Sequence, residues 1–239
     1  MSLTCVSSFF PVYNKHHSLE CYPNWFKNTL NINCPYVFFT DKNTVELIKN
    51  FRKNLPTYYI ICEIQDFNTY KYKDRMITDY FNCPSVELNL IWNEKIFMIQ
   101  KASEINPFNS EWFKWIDAGI CCYRDEPPPN KIFPNNYKLN TLPKDKFIFT
   151  STDCPLPYFE EQVTNTNYYH YICATSFILH KDFINTFTNL YDHYLDKLID
   201  KNNLWTEQVI LTHIYKDNKD LYFQIGGGYG QVTLYLYED

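Results

Sequence analysis

Glycine is the residue this sequence withholds: there are five in 239 positions, four crowded at 226, 227, 228 and 230 and the fifth at 119. Residues so scarce fall where the backbone needs a positive φ or where another group must approach closely. Other absences exclude whole classes. The nine cysteines form no C-x-x-C pair and their number is odd, which speaks against a zinc ribbon and a complete disulfide framework and predicts buried thiols in a reducing, cytoplasmic compartment. No Asn-x-Ser/Thr sequon occurs among many asparagines, in line with that expectation. The opening "MSLTCVSSFFPVY" has no basic segment and no small-residue cleavage site, and suits a first strand better than a signal peptide. No apolar run approaches the ~20 residues of a membrane span, so a soluble protein is expected. No basic run stands out, and a net charge of −5 with a pI near 5.7 argues against a nucleic-acid partner.

What is present is material for a large core: 45% hydrophobic residues, including 21 Tyr and 19 Phe, enough for one α/β domain. Thr4 to Phe10 has strand character, 22–30 helix, 34–43 strand, 44–54 helix and 57–64 strand, an alternation that predicts a Rossmann-like half with parallel pairing. Ser85 is placed to cap a long helix over 85–105, with Glu87 in its first turn. Residues 121–146 form a Pro-, Asn- and Lys-rich connection, strands are expected at 147–153 and 170–180, and helices at 181–200 and 205–216. The tail is expected to return to strand around its glycine loop, with no helix after "GGGYG".

The stretch "EWFKWIDAGI" at 111–120 alternates Trp112 and Ile116 with Phe113 and Trp115, as expected of a strand buried on both faces. It stops on Asp117, which then sits at the carboxyl end of a strand, where open α/β sheets bind ligands and where a carboxylate can meet a metal ion. Gly119 follows directly. The loop Gly226 to Gly230 has two readings: bare N–H groups that cradle phosphate, or a tight turn between strands. It is neither a Walker loop nor a dinucleotide fingerprint.

Taken together, "YPNWFKNTL", "CPYVFFTDKN", "LIWNEKIFMIQKASEINPFNSEWFKWIDAGI" and "LWTEQVILTHIY" resemble the HtrL/YibB family, and the likeness is densest from Leu90 to Ile120. The resemblance implies a glycosyltransferase: one GT-A-like domain over 1–239, α/β, with a Rossmann-like central mixed, mostly parallel sheet flanked by helices. Its nucleotide-binding half would span 1–120, and its acceptor half, with the C-terminal glycine loop, 121–239. The partners implied are a nucleotide-diphosphate sugar, foremost a UDP-sugar, and a hydroxyl acceptor on a glycan, protein or lipid.

On the same resemblance, Ser7, Phe9, Thr40 and Asp41 surround the base and ribose, although strand packing accounts equally well for Ser7 and Phe9. GT-A enzymes carry an Asp-x-Asp whose acids hold Mn²⁺ or Mg²⁺ against the diphosphate; here the motif is Asp117-Ala118-Gly119 and the second acid is missing. Asp117 is left either as the metal ligand, with the diphosphate and waters completing the octahedron, or as an acceptor for the ribose hydroxyls; Asp125, Glu126 and His213 are candidates for extra ligands, His213 also suiting the edge of a core. Trp92 and Lys95 lie one turn apart on the long helix; Lys95 is either a diphosphate contact or a solvated lysine, and Arg75 is a second cation for the same task. Gly227 and Gly228 would complete the donor site. Glu207 and, behind it, Asp153 are the candidate bases for an acceptor proton, Glu207 also suiting a first-turn acid that answers the helix dipole. Cys121, Cys122 and Cys173 are expected as core thiols. Two other classes stay open: a nucleotide-sugar-binding protein without transfer, and an interaction module with no nucleotide ligand.

Overall fold

The computed structural model describes residues 2–13, 17–78, 83–152, 170–199 and 206–238. Strands β1 (Leu3–Phe9), β2 (Tyr36–Thr40), β3 (Thr57–Ile61), β4 (Trp112–Ile116), β5 (Phe147–Ser151), β6 (Ile172–His180) and β7 (Tyr222–Gly227) form one sheet in the order β3-β2-β1-β4-β6-β5-β7. β6 is antiparallel to both β4 and β5, and every other adjacent pair is parallel. The helices are α1 (Tyr22–Thr29), α2 (Val45–Arg52), α3 (Val86–Ile105), α4 (Asn136–Thr141), α5 (Lys181–Leu198), α6 (Glu207–Asp217) and α7 (Gln231–Tyr235).

Both faces of the sheet are covered. Phe113 and Trp115 of β4 belong to the core shared with α3, α5 and α6, while Trp112 and Ile116 belong to the core shared with α1, α2, α4 and α7. The alternation in the sequence is therefore a strand buried on two sides. α3 starts where expected: the Ser85 hydroxyl accepts the Leu88 N–H at 3.2 Å. It ends on Asn106 in the left-handed region, φ 40°, one of the few residue types that tolerates it.

The tail departs from expectation. After β7 the chain forms α7 and not a further strand, and Gly230 enters it at φ +78°. "QVTLY" has the alternation of a strand, but Val232 and Leu236, one turn apart, are buried against the sheet; burial on that face decides the local structure over β propensity. The connection 121–146 also contains a short 3₁₀ turn, Cys121–Tyr123, and α4.

Arg52 ties the first half together. Fully buried at the end of α2, it donates from Nη1 to the carbonyls of Leu30 at 2.8 Å and Ile32 at 3.0 Å. Nη2 donates to Cys34 O at 2.8 Å and Pro56 O at 3.3 Å, and Nε to the Thr57 hydroxyl at 3.0 Å. Its guanidinium carbon lies 3.9 Å from the centroid of the Tyr36 ring. The loops before β2 and β3 thus have their buried carbonyls satisfied by one side chain. Arg52→Met keeps much of the volume and orphans those carbonyls; it is expected to cost about 3 kcal/mol or more. Urea unfolding would show a lower midpoint at unchanged slope, and an unchanged midpoint would mean that the carbonyls find other partners.

Candidate functional site

The chain lays β2 and β3 to one side of β1 and then returns to its other side with β4. A reversal of this kind leaves a crevice beyond the carboxyl ends of the two central strands. A cleft of about 260 Å³ opens there, lined among others by Phe9, Phe10, Tyr22, Trp92, Trp115, Lys95, Asp117, Gly119 and Arg124. Asp117 reaches it because its own N–H extends the β4–β6 ladder to Thr175 O at 3.0 Å, after which the chain turns and Ile120 N–H closes on Asp117 O, also at 3.0 Å. Gly119 is needed in that turn: a Cβ would stand 3.1 Å from the Trp25 ring and 3.3 Å from the Tyr22 ring.

Lys95 is the centre of the constellation. Its Nζ lies 2.7 Å from Glu207 Oε1 and 2.9 Å from Asp117 Oδ1, and donates to Ala174 O at 3.1 Å. Trp115 Nε1 donates to the same Asp117 oxygen at 2.7 Å, and the Thr206 hydroxyl donates to Glu207 Oε2 at 2.6 Å. Lys95 and Glu207 are buried, with side chains 4% and 3% exposed, whereas Asp117 is 33% exposed and faces the cleft. Burial alone would lower the Lys95 pKa; the carboxylates of Asp117 and Glu207 outweigh it and hold the ammonium above its ordinary value. Burial pushes the Glu207 carboxyl up, and Lys95 pulls it back. At 2.7 Å the arrangement is an ionised, charge-assisted pair.

The structure brings together Phe9, Trp92, Lys95, Asp117 and Gly119 on the cleft. It places the others elsewhere. Ser7 is fully buried within β1, and its hydroxyl has no partner among the described residues. The Thr40 hydroxyl donates to Phe9 O at 2.9 Å. Asp41 accepts the N–H groups of Asn43 and Thr44 at the start of α2, and lines a second cleft that shares Phe10 and Val12 with the first.

The glycine loop is a turn, not a cradle. Gly227 pairs with Ser151 at the end of β7, and the Gly228 N–H is spent on Ser151 O at 2.7 Å. Gly230 instead packs on the turn after Asp117, where a Cβ would meet Cys122 Sγ at 3.0 Å. Arg75 lies over the Tyr72 ring, away from the cleft lining. Glu207 is buried against Lys95 and is not among the residues that line the cleft. Asp153 lies outside the described residues.

The described residues form no complete ligand set for the expected Mn²⁺ or Mg²⁺. Among the described residues, no three His, Cys, Asp or Glu side chains gather to hold a metal ion, so Asp125, Glu126 and His213 do not complete a set with Asp117. The ammonium of Lys95 occupies the space between the two acids.

Arg124 is the cleft residue that spacing does not reveal. The turn Cys121–Tyr123 folds the chain back, so that Arg124 Nε donates to Gly119 O at 2.9 Å and Nη1 to His17 Nε2 at 3.3 Å. Its guanidinium lies 4.1 Å from the centroid of the Trp25 ring. The available signal is scarcity: Arg52, Arg75 and Arg124 are the only arginines in the chain.

A family model for bacterial proteins of unknown function, HtrL_YibB, matches residues 6–232. The chain belongs to the HtrL_YibB family. No curated protein matches it by sequence. Solved structures resemble it, two of them as follows. One is mouse xyloside xylosyltransferase 1 in its apo form, at 12% identity and a TM-score of 0.58, over 94% of this chain and 85% of that one. The other is core-mannan synthase A from Aspergillus fumigatus in a Mn/GDP form, at 12% identity and a TM-score of 0.50, over 94% of this chain and 73% of that one. At such identity the likeness speaks for the fold, and the fold of this HtrL_YibB member is GT-A-like. No helix among its described residues is long and apolar enough to cross a membrane.

The Lys95 constellation makes a quantitative prediction. Lys95→Met strands two acids, one of them buried, and is expected to cost roughly 3–5 kcal/mol. Adding Glu207→Gln removes the buried charge and should recover part of that loss. In a double-mutant cycle by urea denaturation, energies that simply add would show that the two side chains are not coupled.

Proposed function

We propose that the chain is a glycosyltransferase that binds a nucleoside-diphosphate sugar in the cleft beyond β1 and β4 and transfers the sugar to a hydroxyl acceptor. The observation that carries this reading is the placement of Asp117: a cleft-facing acid at the switch point of a GT-A-like sheet, walled by Phe9, Phe10, Trp92 and Trp115. Aromatic walls suit a base or a sugar face, and a carboxylate fixed at one oxygen keeps the other for hydroxyl groups of ribose or sugar. In transfer, the bond from the anomeric carbon to the diphosphate breaks, the electron pair leaves with the diphosphate, and the acceptor oxygen forms the new bond. Asp117 is the single acid on the described lining, and it is placed to orient the sugar or to receive the acceptor proton. UDP-sugars are the first donors to test. GDP-sugars come next, because the core-mannan synthase neighbour was solved with GDP. The acceptor class is a glycan, protein or lipid hydroxyl.

A binding protein without transfer is the second reading. It is favoured by one observation: Glu207, the other acid of the constellation, is turned inward onto Lys95. Release of UDP or GDP that depends on an added acceptor separates the two.

Thermal unfolding with UDP, GDP, CMP and dTDP tests the donor site. A nucleotide at a hundred times its dissociation constant adds ~2.7 kcal/mol, a shift of a few degrees for a domain of this size. One nucleotide is expected to give that shift, and Asp117→Asn to reduce it together with turnover. No shift with any nucleotide would remove the transferase reading.

A further inference from the structure

We propose that Arg124, and not a divalent cation, is the group that takes the negative charge of the donor's diphosphate, so that nucleotide binding by this protein is independent of metal. The inference rests on the transferase reading of the same cleft and assigns the charge partner that reading leaves open.

The argument is one of charge and commitment. A diphosphate needs a cation that is not already neutralised. Lys95 does not qualify, because its ammonium is shared by Asp117 and Glu207, and with one positive and two negative charges the trio is net negative. Among the described residues no three His, Cys, Asp or Glu side chains gather to hold a metal ion, and Asp117 is the one acid on the cleft lining. The oxygen of Asp117 that points at Lys95 also accepts from Trp115, and Glu207 Oε2 is occupied by Thr206. Arg124 lines the same cleft as Lys95 and Asp117, and among the described residues no carboxylate stands within ion-pair distance of it.

The guanidinium is also held for the task. Nε is fixed on Gly119 O, two residues beyond Asp117, and the flat face rests on Trp25. Nη1 donates to His17 Nε2, which requires that ring nitrogen to be the acceptor and places the imidazole proton on Nδ1. Nη2 has no partner among the described residues, so one N–H edge of the fork stays available for phosphate oxygens. An anion bound there would sit at the turn that carries Gly119, against which Gly230 also packs. The positive charge that assists departure of the diphosphate is then a fixed side chain, already oriented before the donor arrives.

The experiment is a calorimetric titration of the full chain with UDP, GDP, uridine, guanosine and inorganic pyrophosphate, each in EDTA and in Mn²⁺. Wild-type protein, Arg124→Gln and Arg124→Lys are compared, with melting curves to verify that each variant is folded. The expected result is a nucleoside diphosphate bound within threefold as tightly in EDTA as in Mn²⁺. Arg124→Gln weakens it about 10- to 100-fold while leaving the nucleoside little changed, and Arg124→Lys recovers part of the loss. Tightening by Mn²⁺ of tenfold or more, or an Arg124→Gln variant that binds diphosphate like wild type, overturns the inference and leaves the transferase reading standing. Pyrophosphate bound through Arg124 with no nucleotide bound would keep the anion site and remove the transferase reading. Wild-type protein that binds none of the five ligands overturns both.

Discussion

A lysine in a protein interior is tolerated only if its charge is met, and much of this site follows from how Lys95 is met. One ammonium links α3, the carboxyl end of β4, the first residues of β6 and the amino end of α6 through Asp117, Ala174 and Glu207. Desolvating an ammonium costs several kcal/mol, which is offset here by two acids and a carbonyl. The constraint runs both ways. Because Lys95 and Trp115 both hold one oxygen of Asp117, that carboxylate cannot swing freely, and its other edge is aimed into the cleft before any ligand is present.

The few glycines serve the same end indirectly. Gly119 lets the aromatic rings of α1 lie on the turn after Asp117, and Gly230 lets Cys122 lie on the start of α7. Together they allow the chain after β4 to double back tightly enough that Arg124 returns to the carbonyl of Gly119. Side chains at these positions would push that turn outward, so the bare backbone shapes a wall of the cleft by what it permits to pack.

Arginine is used as sparingly as glycine, and two of its three positions show different solutions to one problem. Arg52 is buried with no carboxylate at ion-pair distance among the described residues and spends its donors chiefly on the carbonyls of loops. Arg124 spends two donors on a carbonyl and an imidazole and keeps one edge toward the cleft. A planar fork with five N–H groups can do either, where a lysine in the same place would supply a single point of charge. In a chain of net charge −5, a guanidinium on the cleft with no carboxylate at ion-pair distance among the described residues is a product of this placement and not of composition.

Local patterning in the sequence was enough to determine the order of strands and longer helices as far as β4, the doubly buried β4, the Ser85 cap and the position of Asp117 at a strand end, because each depends on neighbours within a few residues and on the periods of strand and helix. The constellation around Lys95 was beyond its reach: Asp117, Ala174 and Glu207 meet its ammonium only when β6 inserts antiparallel beside β4 and α6 caps its start. The sequence left Glu207 open between a base and a first-turn acid; folding turned it inward, since a buried ammonium needs a buried counter-charge. It left the glycine loop open between cradle and turn; pairing of β7 with β5 consumed the Gly228 N–H. The tail that alternates like a strand became a helix because the sheet face beside it required covering. Arg124 entered the cleft through a turn whose tightness no spacing rule encodes. Periodicity is a property of the chain, but the closing of charges and faces on one another is a property of the packed whole.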